Sequence, residues 1–192
     1  MAVKQETRIV TGEARLSYVN VFKPYAHMEG QEEKYSVTIL IPKTDVATKA
    51  RIDAAINAAI EQGINTKWNG VKPPKVAIPV YDGDGTKPSD GTEFGPECKG
   101  HWVFTATSKK DNPPQVVDAQ VQPILNQSEI YSGIYGRVSV VFAPYMYGGK
   151  KGVGVYLGNI QKTRDGEPLT SKRSAADDFG TGDVDPITGM PR

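Results

Sequence analysis

The chain has 192 residues and a mass of 20.8 kDa, with 38% hydrophobic and 23% charged side chains and a formal net charge of +1. Folding at this size hides roughly 70% of the surface the open chain exposes, so one domain with a real core is expected and a wholly disordered chain is excluded. No apolar run approaches the roughly 20 residues of a membrane-spanning helix. The start, MAVKQETRIV, has no apolar export segment, and the lone Cys98 has no internal disulfide partner, so a reducing cytoplasmic setting is expected.

Residues 8–22, RIVTGEARLSYVNVF, are β-branched and aromatic and predict one long strand or two short ones, with Gly12 as a bulge and Leu16, Tyr18, Asn20 and Phe22 on one parity. A polar turn at 23–34 leads to a strand at 35–41, YSVTILI, which Pro42 ends. One helix follows. Thr44 or Asp45 can cap it and Gly63 can close it. Val46, Ala50, Ile52, Ala55, Ile56, Ala59 and Ile60 recur at spacings of three and four, which predicts a narrow packing face against a sheet.

Residues 64–100 are loop-rich, with a short strand expected at Val76–Val80. Further strands are expected at His101–Ser108, Gln115–Pro123, Gly133–Tyr147 and Gly152–Lys162. After Thr163, Gly, Pro, Asp and Ser dominate. The pattern predicts a mainly β fold: an OB-like five-stranded barrel with one accessory helix and long loops. It divides into a domain over 1–173 and a flexible, disordered acidic tail over 174–192. The usual OB helix lies between strands three and four, whereas here it follows strand two. Charge is uneven across that division: the last nineteen residues carry Asp177, Asp178, Asp183 and Asp185 against Arg192, leaving 22 basic and 18 acidic side chains in the body. A mildly basic body suits an anionic ligand.

Catalytic constellations are weak. Cys98 and His101 are two metal-ligating residue types where a zinc centre needs four ligands. The glycines of GGKKGVGVYLG precede no helix start, so they read as a hairpin and not as a phosphate cradle. Asp82, Asp84 and Glu93 imitate a calcium loop, but Lys87 stands where that loop needs its turning glycine. A magnesium-dependent nuclease built on these carboxylates is one alternative function, and a structural or assembly protein using its aromatics at a protein interface is another. No cofactor, metal or catalytic residue is expected.

The binding signal is stronger. Trp102 and Phe104 share a strand parity and lead into Lys109 and Lys110. Tyr135, Arg137 and Ser139 share one face of the next long strand, opposite Ile134, Val138, Val140 and Phe142. That strand runs on to Tyr145, Tyr147, Lys150 and Lys151. Strand aromatics are ordinarily core and lysine pairs ordinarily solubilise hairpin ends. Rings beside cations are also what sequence-independent single-strand binding requires, because every base offers a π-face and every nucleotide a phosphate.

KYSVTILIPK before a helix, then PPQVVD with IYSGIYGRVSVVFAPYMYG, then KKGVGVYLGNIQKTRDGEPL with ADDFG after it, resemble in order the blocks of a bacteriophage single-stranded DNA-binding protein family. The resemblance covers most of residues 8–180. It implies an OB-like fold, non-catalytic ssDNA binding, and work in phage DNA replication, recombination or repair in the host cytoplasm. The expected partners are ssDNA and, through Asp177, Asp178 and Phe179 of the tail, phage or host replication proteins. No membrane partner is expected, and a homodimer is compatible with the pattern. The chain departs from an acidic terminus in that ITGMPR follows those residues.

Overall fold

Alternation along the strands decides which side of the sheet is covered. Val37, Ile39 and Ile41 point inward with Phe104, Ala106, Val138, Val140, Phe142, Val153, Val155 and Leu157, and they form one continuous core. The computed structural model describes residues 6–26 and 28–169. Among them the elements run β1 (Arg8–Val10), β2 (Ala14–Tyr25), β3 (Lys34–Pro42), α1 (Val46–Thr66), β4 (Tyr81–Asp82), β5 (His101–Lys109), β6 (Val116–Val117), β7 (Tyr135–Tyr147) and β8 (Lys150–Arg164).

The pairings return on themselves. β2 pairs with β3, β3 with β5, β5 with β8, β8 with β7, and β7 with β2. All are antiparallel except β5–β8. The result is a mainly β fold with five strands in a ring and one α-helix among the described residues, as the sequence pattern predicted. The β5–β8 contact is short, with Thr107 opposite Tyr156, and β4 occupies the edge of β5 nearer its start, with Tyr81 opposite Val103. The sheet therefore parts between β5 and β8.

The segment expected as one or two strands is two. At Gly12, between β1 and β2, an added Cβ would fall 2.4 Å from the Asp45 carboxylate and 3.0 Å from Thr48 Oγ1, so the chain crosses the helix cap where only glycine fits. Asp45 does cap α1, accepting from the Thr48 amide at 3.1 Å. Gly63 does not close the helix. It lies inside α1, where a Cβ would sit 2.8 Å from both Pro144 Cβ and the Trp68 ring. Trp68, fully buried just past the helix, donates its indole N–H to the Tyr145 carbonyl at 3.2 Å and ties α1 to β7.

Two expected strands shrink. Val76–Val80 reduces to an isolated bridge between Ala77 and Gly152, and Gln115–Pro123 to Val116–Val117 followed by a turn closed on the Asp118 carboxylate. The tail residues 174–192, with Asp177, Asp178 and Phe179, lie outside the described residues.

Candidate nucleic-acid interface

The outward faces of β3 and β5 are divided. Toward one end Leu40 and Val103 are buried, covered by Cys98 and Phe94 from the long segment after β4. Toward the other, Thr38, Thr105 and Thr107 stay accessible, and the Thr38 and Thr105 hydroxyls hydrogen-bond at 3.0 Å. Where cover gives way to open sheet, and where β8 parts from β5, lies a groove of about 640 Å³. The three threonines and Gly154 floor it. Tyr18 stands on one side, and Tyr81, Phe94 and Lys87 on the other.

The wall is held by charge and backbone bonds. The Lys43 ammonium donates to Asp82 at 2.6 Å and to Asp84 at 2.7 Å, and Asp84 also accepts from the Gly100 amide at 3.0 Å. The hydrogen bonds to Asp82 and Asp84 raise the Lys43 pKa, and the same ammonium, foremost among the causes, holds both carboxyls below their ordinary range. These aspartates are thus engaged with a protein cation, which works against metal binding there. Glu93 instead bridges to Thr86 in a tight hairpin that carries Lys87 to the groove. Burial, first of all, raises the Cys98 thiol pKa.

Tyr18 owes its place to a bulge. The register of β2 on β3 shifts between Ser17 and Asn20, and Tyr18 takes a left-handed φ of 47°. Its amide donates to Ser132 Oγ at 2.6 Å. Leu16 points into the core while the Tyr18 ring is 67% exposed, so the single parity expected for Leu16, Tyr18, Asn20 and Phe22 is broken. The expense of the backbone strain is of order 1–3 kcal/mol, met by the surrounding bonds.

The residues singled out in the sequence scatter over the molecule. Phe104 is corrected: it lines the groove, but at 1% exposure its ring packs against Phe142 in the core, ring centroids 6.2 Å apart. Trp102 is half-buried, with the ammoniums of Lys43 and Lys49 at 4.9 and 4.5 Å from its ring centre. Tyr135 is similarly engaged, with the Arg164 guanidinium 3.7 Å and that of Arg15 5.8 Å from its ring centre. Arg137 is exposed and donates to the Thr11 carbonyl at 3.2 Å, whereas Ser139 is buried and accepts from the Asn159 amide.

Lys109 stands opposite Lys34, and Lys110 lies 3.3 Å from Glu33, so these lysines gather at one end of the β3–β5 pair. Tyr145 packs beside Gly152. Tyr147 is 83% exposed opposite Lys150, and Lys151 pairs with Met146 near the β7–β8 turn. Sequence reasoning missed Tyr18, Tyr81, Phe94 and Tyr156. For Tyr156 a signal existed: in GVGVYLG, the inward parity of Val153, Val155 and Leu157 leaves Tyr156 outside, and it is 48% exposed.

The family model described as Enterobacter phage Enc34, ssDNA-binding protein, matches residues 7–186. Among solved structures, the single-stranded DNA-binding protein from bacteriophage Enc34 in complex with ssDNA is similar at 28% identity. The match covers 88% of this chain and 96% of that one, with a TM-score of 0.71. A C-terminal truncation of the same phage protein matches at 28% identity over 88% and 95%, with a TM-score of 0.68. The fold is also similar to that of gp2.5, a single-stranded DNA binding protein encoded by bacteriophage T7, at 15% identity over 92% and 94% of the chains and a TM-score of 0.59. No curated protein matches by sequence.

Proposed function

The chain belongs to the family of the Enterobacter phage Enc34 ssDNA-binding protein, and from that premise we propose that it binds single-stranded DNA without sequence preference in the groove over β3 and β5. It coats and protects exposed strands during phage replication or recombination in the host cytoplasm, and it acts without catalysis. Among the described residues no helix is long and apolar enough to cross a membrane.

The observation that carries the reading is the pairing of two exposed rings and one half-buried ring with a hydroxyl floor. Tyr18, Tyr81 and Phe94 border threonine hydroxyls in one open groove. OB folds use the face of their second and third strands together with the loops after strands one and four. Here those strands are β3 and β5, and the corresponding loops follow β2 and β7. Bases stacking on the rings contribute roughly 1–3 kcal/mol each. Lys87 at the wall, Lys34, Lys109 and Lys110 at one end, and Lys150 and Lys151 near the β7–β8 turn are the proposed phosphate contacts. Trp102 and Tyr135 keep their rings on protein cations and act as supports for neighbouring strands; Tyr145 and Tyr147 flank the path.

A fluorescence titration with oligo-dT at two salt concentrations tests this reading. Tyrosine quenching and an affinity that falls with salt by about 0.7 log units per tenfold salt for each phosphate contact are expected. Binding with no salt dependence would overturn it.

A further inference from the structure

We propose that a second anion site, an arginine cleft formed by β1, α1 and β7, takes the phosphate backbone of the strand after it leaves the groove. The proposal rests on the ssDNA reading above and extends its path. A cleft of about 620 Å³ is lined by Arg8, Arg51 and Arg137, with Glu6 as its one carboxylate and Ala54 and Val10 between them. Arg51 donates to the Val10 carbonyl at 3.3 Å and to Thr48 Oγ1 at 3.2 Å, and that hydroxyl in turn donates to Asp45. Arg137 spends its Nε–H on the Thr11 carbonyl. The Arg8 side chain makes no hydrogen bond or ion pair among the described residues, and none of the three guanidiniums is ion-paired there.

A guanidinium has five N–H donors in a planar fork, so Arg51 and Arg137 are oriented by the bonds they make while most of their donors stay free. Three guanidiniums, two of them oriented, against one lining carboxylate suit a polyanion with closely spaced phosphates. Of the carboxylates nearby on the helix, Asp53 is paired with Lys49, and Asp45 accepts from the Thr48 amide and hydroxyl.

The strand registers connect this cleft to the groove. Thr107 on the groove floor stands opposite Tyr156, Tyr156 opposite Val141, and Val141 opposite Arg8. This row crosses three strand spacings, about 14 Å. Its middle is the exposed Tyr156 ring, a stacking surface between a floor of hydroxyls and a cluster of cations. A strand leaving the groove over Tyr156 arrives at Arg8.

The test compares dT oligomers of about 4 and about 16 nucleotides, the two ends of what one OB fold holds, across a salt series. Arg8→Ala removes a side chain with no partner among the described residues. It should lower the salt slope by about 0.7 on the long oligomer and leave the short one unchanged. The triple change Arg8→Ala, Arg51→Ala, Arg137→Ala should lower the slope by about 2, with thermal melting as the fold check, and the single variant decides alone if the triple does not fold. An unchanged slope on the long oligomer, or equal losses on both lengths, would overturn the cleft. Tyr18→Ala, which weakens both lengths if the groove is right, separates the two readings: no effect of Tyr18→Ala beside a long-oligomer loss in the arginine variants sinks the groove and keeps the cleft.

Discussion

Tyr18 joins strain to exposure at one position. Its φ of 47° suits glycine, and its ring stands 67% exposed on the groove. Tyr18→Gly should therefore move stability and binding in opposite directions. Relief of the left-handed backbone is worth about 1–2 kcal/mol, so the melting temperature should rise. Loss of one stacking ring weakens oligo-dT binding by about 1–3 kcal/mol, roughly 5- to 150-fold. Calorimetry and titration of the same variant read both signs.

Lys43 with Asp82 and Asp84 sets the acid behaviour of the groove wall. Both carboxyls titrate below their ordinary value because the ammonium donates to them. What they contribute to holding the wall is present above about pH 4 and is lost as pH falls through their depressed values. The raised Lys43 contribution is present below about pH 10 and is lost as pH rises through its own folded value. In an NMR titration of Lys43→Met, both aspartates should return toward the ordinary carboxylate midpoint. Midpoints that stay depressed would show that backbone donors, such as the Gly100 amide, carry the effect.

At the scale of elements, α1 works as a clamp on the long β7–β8 hairpin. Gly63 lets Pro144 and Trp68 press against the helix, and the indole bond to Tyr145 fixes the hairpin where β7 carries its last aromatic residues. Gly63→Ala adds a methyl at 2.8 Å from both neighbours. The overpacking costs about 1–3 kcal/mol and outweighs the roughly 1 kcal/mol gained in helix propensity. A lower melting temperature is expected, where an exposed helical glycine would give a higher one. The periodicity of α1 was readable because its apolar stripe repeats at helical spacing, and Asp45 at its start was readable as a cap. The end of the helix was misread because Gly63 serves a close approach and not a termination.

At the scale of the whole molecule, charge separates body from terminus: 22 basic against 18 acidic side chains up to residue 173, and four aspartates against Arg192 beyond it. We propose that this acidic segment, with Asp177, Asp178 and Phe179, competes with DNA for the cations of the body and engages replication proteins. Ending the chain before Ser174 should then tighten oligo-dT binding at low salt, with the difference fading at high salt as the attraction is screened. Weaker binding by the shortened chain at low salt would contradict the shielding.

The sequence by itself determined the long strands and the helix, the apolar sides of β3 and β7, the helix cap and the family, because period-two and helical repeats and motif spacing are local properties written along the chain. Inward Val138, Val140 and Phe142 were legible in this way. Only the tertiary structure decided which rings face a ligand. The Tyr18 bulge depends on pairing with β3, the burial of Phe104 on contact with Phe142, and the engagement of Tyr135 on Arg15 and Arg164, which lie 120 and 29 residues away in the chain. Parity places a side chain on one of two sides of a strand, but what covers that side is settled by elements that meet it only when the sheet closes.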